Sequence, residues 1–143
     1  MANVQFILGR DLKGSLTTEE HTSISTSYDK TKAHAHPIGR FDSDLGHEGV
    51  YGECLGVWIE FDNKSSATKL SVMVCADSDC DVPLLEAQDV DLTLGLTTNT
   101  RGTVQIYMGM PFYCGQDTPS VYIVCKTDAG TIDLQKSQIS WRI

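Results

Sequence analysis

The sequence predicts an all-β chain, an antiparallel β-sandwich or jelly roll with little helix. Apolar residues alternate with polar ones in stretch after stretch, the pattern of half-buried strands. Clusters of Gly, Pro, Asn, Asp and Ser punctuate those stretches at short spacing. No stretch carries a sustained 3.6-residue apolar period with caps at its ends.

Taken in order, Leu55, Val57, Ile59 and Phe61 point one way and Trp58 and Glu60 the other. Leu70, Val72 and Val74 repeat the alternation, as do Val90, Leu92, Leu94 and Leu96. Val104, Ile106 and Met108 follow, then Val121, Ile123 and Cys125, then Ile139, Trp141 and Ile143. Both faces are apolar around Val121–Val124, as in a central strand. Asp62–Ser66 and Thr97–Gly102 read as links between strands, and Thr127-Asp128-Ala129-Gly130 as a hairpin turn. Thr22–Tyr28 reads as an exposed strand, and Lys30–Gly49 is the weakest region for regular structure. The expected core is Val57, Ile59, Val72, Val74, Leu92, Leu94, Val104, Ile106, Ile123 and Trp141.

Length sets one domain over residues 1–143, large enough to bury a core without a disulfide or metal. Val4–Leu8 lies within an apolar strand, residues 3–9, that can serve as an assembly arm. The net charge of −8 disfavours partners that need basic surface, namely nucleic acid and anionic membrane. No apolar run approaches the roughly 20 residues of a membrane-spanning helix. The first ten residues lack the basic start and apolar core of a signal peptide, so synthesis and folding in the cytoplasm are expected, with thiols reduced. Five cysteines cannot all pair within one chain. Cys54 and Cys125 read as small core residues. Cys75 and Cys80 are either free thiols or the ends of a short disulfide loop.

Two groups of residues have ligand chemistry. His34 and His36, at i and i+2, share one face of a strand and suit a metal. The cupin pattern also needs a Glu four or five residues on, where Arg40 and Phe41 stand, so the pair reads either as a partial site completed by His47 or as polar surface. Asp77, Asp79 and Asp81 alternate like the start of a calcium loop, but Val82 and Gln88 occupy its glycine and closing Glu positions. They read as a weak cation site or a solvated acidic loop. No cofactor is expected: there is neither a Gly-x-Ser-x-Gly elbow nor a phosphate-binding glycine loop.

A small, acidic, Ser/Thr/Gly-rich β chain without a catalytic signature loosely resembles the β-sandwich cement, or decoration, proteins of tailed-phage capsids. The resemblance spans length, strand count and composition and rests on no diagnostic motif. It implies a non-enzymatic virion protein, a homotrimer or similar oligomer seated on a capsid lattice, with its own copies and capsid subunits as partners. Phe6, Tyr113 and Trp141 are the aromatics expected at such an interface. Two other classes compete: a carbohydrate- or calcium-binding module, and a metal-dependent jelly-roll enzyme built on His34, His36 and His47.

Overall fold

The computed structural model describes residues 12–37, 50–114 and 120–142. Strand 3–9, Phe6 and His47 lie outside the described residues, as does the side chain of Tyr113. The described strands are β1 (Leu12–Thr17), β2 (His21–Ile24), β3 (His34–Pro37), β4 (Val50–Asp62), β5 (Lys69–Cys75), β6 (Pro83–Asp91), β7 (Gly102–Cys114), β8 (Ser120–Thr127) and β9 (Ile132–Arg142). Short 3-10 turns at Lys30–Lys32 and Thr93–Gly95 are the helical segments among the described residues. The all-β expectation holds. No described helix is long and apolar enough to cross a membrane.

One sheet runs β1-β9-β4-β7, with β2 also paired to β9; the other runs β3-β8-β5-β6. Every pairing is antiparallel. The chain changes sheet at nearly every connection from β3 onward, the β5–β6 hairpin being the exception. This interleaving of two facing sheets is the jelly-roll arrangement.

The turn at 127–130 is therefore no hairpin: β8 and β9 belong to different sheets, and the turn crosses between them. Short loops usually join neighbours in one sheet, which is why the sequence misleads here. The crossing lies beside the β4–β5 crossing and is bonded to it. The Asp128 carboxylate accepts hydrogen bonds from the backbone N–H of Thr68 (2.9 Å) and Lys69 (3.0 Å) and from the Thr68 hydroxyl (2.6 Å). Those bonds, led by the Thr68 hydroxyl, hold its pKa well below the usual carboxylate range. Gly130 has φ +60°, and a Cβ there would lie 2.4 Å from the hydroxyls of Ser65 and Ser66.

The core sits between the sheets. Ile59, Phe61, Leu70, Val72, Leu92, Ile123, Ile132, Leu134 and Ile139 are fully buried in it. Of the ten expected core residues, Leu94 is the error, being 87% exposed. The Asp91 carboxylate accepts from the Thr93 N–H (2.8 Å) and hydroxyl (2.6 Å). That local capping ends β6 and starts a 3-10 turn, so the period of two stops at Leu92. A second departure lies in β4. Its register shifts between Cys54 and Gly56, so Cys54 and Val57 both face inward and Leu55 is left half-buried. Gly56 is required at this bulge, where a Cβ would sit 2.8 Å from the carbonyl oxygen of Ile106.

Candidate functional site

The two histidines lie on β3, in a strand and not in a surface loop. Both are buried, at 0% exposure, facing β1 and β9 of the opposite sheet. Ser137 of β9 stands between them, 2.6 Å from His34 Nδ1 and 2.7 Å from His36 Nε2. His34 Nε2 lies 2.5 Å from the carbonyl oxygen of Glu19, and His36 Nδ1 lies 3.2 Å from the Ser15 hydroxyl.

The neutral network has one consistent proton arrangement. A carbonyl only accepts, so His34 carries its hydrogen on Nε2 and its Nδ1 is bare. The Ser137 hydroxyl donates to that Nδ1 and accepts from His36 Nε2–H. His36 Nδ1 accepts from Ser15, while the Thr17 hydroxyl donates to the Ala35 carbonyl at 2.8 Å. Burial pushes the pKa of both rings down, that of His36 to about 4 with a further contribution from His34. Every ring nitrogen of the pair has a protein partner, so a metal would have to displace Ser137. The arrangement joins the two sheets and leaves no open position for chemistry.

The acidic triplet, by contrast, is brought together at the surface, in the loop between β5 and β6. One oxygen from each of Asp77, Asp79 and Asp81 lies within 4.8 Å of the others. Two of these groups already have partners. The Asp77 carboxylate accepts from the N–H groups of Val82 (2.9 Å) and Asp81 (3.2 Å), which holds its pKa below the usual range. Asp79 pairs with Lys30 at 3.2 Å. Three oxygens are about half of the six to eight that calcium takes. The neighbouring Cys75 and Cys80 are free thiols hydrogen-bonded to each other. Burial is the main cause that raises both pKa values, that of Cys75 to about 12, so both are protonated at neutral pH and weakly reactive.

Trp141 is only 3% exposed, in the core between the sheets. It meets the core expectation and has little surface with which to touch a partner.

The feature that single residues did not signal is β7. It is the outermost strand of its sheet, and no described strand pairs with its far side beyond a bridge from Leu96 to Gly102. It is 13 residues long and carries no charged residue. The other edges are blunted in familiar ways. The described β3 edge has four residues, the last of them Pro37; the described β1 edge has six. The β6 edge starts at Pro83, carries Glu86, Asp89 and Asp91, and is bulged opposite Ser71, whose hydroxyl accepts the Asp89 N–H at 3.1 Å. On β7 the outer face of the sheet presents Tyr107 at 82% exposure, and at the opposite edge, on β1, Leu16 at 57%.

No family model matches the chain, and no curated protein matches it. Several solved structures align with most of the chain at low identity. A chain of the cyanophage Pam1 capsid asymmetric unit is 14% identical, covering 92% of this chain and 84% of that one, with a TM-score of 0.45. The infectious bursal disease virus VP2 subviral particle is 10% identical over 92% of this chain and 32% of its own, with a TM-score of 0.44. The adhesin domain of Lys-gingipain from Porphyromonas gingivalis W83 is 12% identical over 85% and 97%, with a TM-score of 0.32. The loose likeness to proteins of virus particles is thus met among these neighbours without a sequence family. At these scores it carries no argument about function.

Proposed function

We propose that this chain is a non-enzymatic structural protein that binds its own copies and a protein lattice through the edge of β7, in the manner of a capsid decoration protein. The observation behind this reading is the contrast among the sheet edges: β7 is the longest described edge and, unlike β1 and β6, carries no charged residue. An edge strand offers a row of unpaired N–H and C=O groups, and proteins that stay monomeric blunt such edges with Lys, Pro or bulges. Over Val104–Tyr107 the edge has none of these; Gly95 and Leu96 pack against its start at Gly102–Thr103, and a bulge at Met108–Gly109 (Gly109 φ +57°) and Pro111 interrupt it further along. Added backbone pairing there is the known mode of strand addition.

The particle setting rests on the resemblance in length, strand count and composition. A net charge of −8 favours the outside of such a particle over a surface facing the genome. Jelly rolls serve capsids, lectins and enzymes alike, so the fold by itself selects none of them.

Sedimentation of the full chain tests the reading. The chain should sediment as an oligomer, a trimer in the decoration reading. Thr103→Lys combined with Gln105→Lys should yield a monomer that melts at the same temperature. A full-length chain that stays monomeric at high concentration, or a double variant that assembles normally, overturns it.

A further inference from the structure

The outer face of the β1-β9-β4-β7 sheet holds a groove of about 310 Å³ between two aromatic side chains. Pairing registers define it. In one row across the strands Gln138 of β9 faces Trp58 of β4, which faces Gln105 of β7. In the next row Ser140 faces Gly56, which faces Tyr107. Trp58 and Tyr107 therefore stand on adjacent strands, one row apart, and the missing side chain of Gly56 leaves the floor between them open. Two carboxamides, the Ser140 hydroxyl and the half-buried Leu55 also line it.

We propose that this groove binds a neutral saccharide chain. Three properties favour that ligand. The lining has aromatic faces, and the C–H faces of a sugar ring are apolar and stack on such π surfaces. Beside them stand side chains of Gln and Ser, which both donate and accept hydrogen bonds and so match the mixed demands of sugar hydroxyls. No Asp, Glu, Lys or Arg lines the groove in a chain of net charge −8. Charge begins one row beyond, at Glu60, where Lys136 (3.7 Å) and Arg101 (3.8 Å) both pair with the carboxylate. That ladder, two cations on one carboxylate, closes one end of the groove, and none of its three side chains lines the groove itself. The site is compatible with strand addition at β7, because edge pairing uses the backbone and leaves the sheet face open.

The chain has two tryptophans, which makes the test internally controlled. Trp58 lines the groove and Trp141 lies in the core. Maltohexaose, cellohexaose and chitohexaose are titrated separately into the full chain, with a sulfated heparin hexasaccharide as the charged contrast. The indole N–H resonances are followed by NMR. At least one neutral oligomer should shift the Trp58 signal saturably below about 10 mM and leave Trp141 in place. Tyr107→Ala should weaken that binding roughly tenfold or more with an unchanged melting temperature. Gln105→Ala and Gln138→Ala should each weaken it less. Absence of a saturable shift with all three neutral oligomers, a response to heparin alone, or binding that survives Tyr107→Ala overturns the proposal. So does a Trp58 shift that follows protein concentration alone, which would assign the face to a second copy of the chain.

Discussion

The histidine pair and the aspartate triplet look alike in the sequence: short, alternating runs of metal-ligating side chains. In the structure they are opposites. His34 and His36 are enclosed between the sheets, and each ring nitrogen meets a fixed protein partner. Asp77, Asp79 and Asp81 converge in a surface loop, where one carboxylate shapes the backbone and another meets a lysine in water. Residue type says what a side chain can bind; burial and existing partners decide whether it is still free to do so.

Removing the centre of the buried network should have the largest effect. Ser137→Ala leaves a nitrogen on each of two buried rings without a partner, which should cost about 2–6 kcal/mol at roughly 1–3 per group. Urea unfolding at pH 7.5 measures this, and a loss under about 1 kcal/mol would mean that the two rings are not held as described.

Acid should act next. Both histidines have folded pKa values below the unfolded value of 6.5, His36 at about 4. Between those values the unfolded chain binds a proton that the folded one refuses, so stability is complete above about pH 6.5 and falls as pH drops toward 4. For His36 the full drop amounts to about 3 kcal/mol, and His34 adds in the same direction. The Glu19 carboxylate, 3.8 Å from His21 beside the pair, is the nearest compensating charge. Unfolding midpoints that stay flat from pH 7.5 to 5 would break the contrast with the aspartate loop, where the lowered Asp77 carboxylate acts only in stronger acid.

The smallest effect belongs to the exposed triplet. Asp79→Asn should leave the urea midpoint unchanged, and added millimolar calcium should leave the melting temperature unchanged. A calcium-induced rise that Asp79→Asn abolishes would turn the loop from solvated surface into a cation site.

Much of the fold is legible in the sequence because period-two alternation directly encodes which side of a sheet is buried. Nine of the ten expected core positions lie inside for that reason. What alternation does not encode is partnership. Whether β8 turns back on itself or crosses to the other sheet depends on contacts of β9 with strands more than 70 residues earlier. Local exceptions escape as well: the β4 bulge swaps Cys54 for Leu55, and the capping by Asp91 frees Leu94. The histidines were visible as a pair, but Ser137, a hundred residues away, is what makes them a joint between sheets. The groove is equally nonlocal, since Trp58, Tyr107 and Gln138 become neighbours through register alone.

The position of β9 has a consequence for synthesis. It is the last described strand in the chain, yet it lies inside its sheet, between β1 and β4, and also carries β2. While a ribosome is still making residues 132–142, β1 and β2 have no partner in that sheet among the described strands, and β4 has β7 alone among them. Vectorial folding can complete the β5–β6 hairpin early, but the larger sheet must wait for β9. Stalled or truncated products lacking β9 would then expose the facing edges of β1 and β4, so loss of a few residues from that strand should be far more damaging in the cell than its share of the chain suggests.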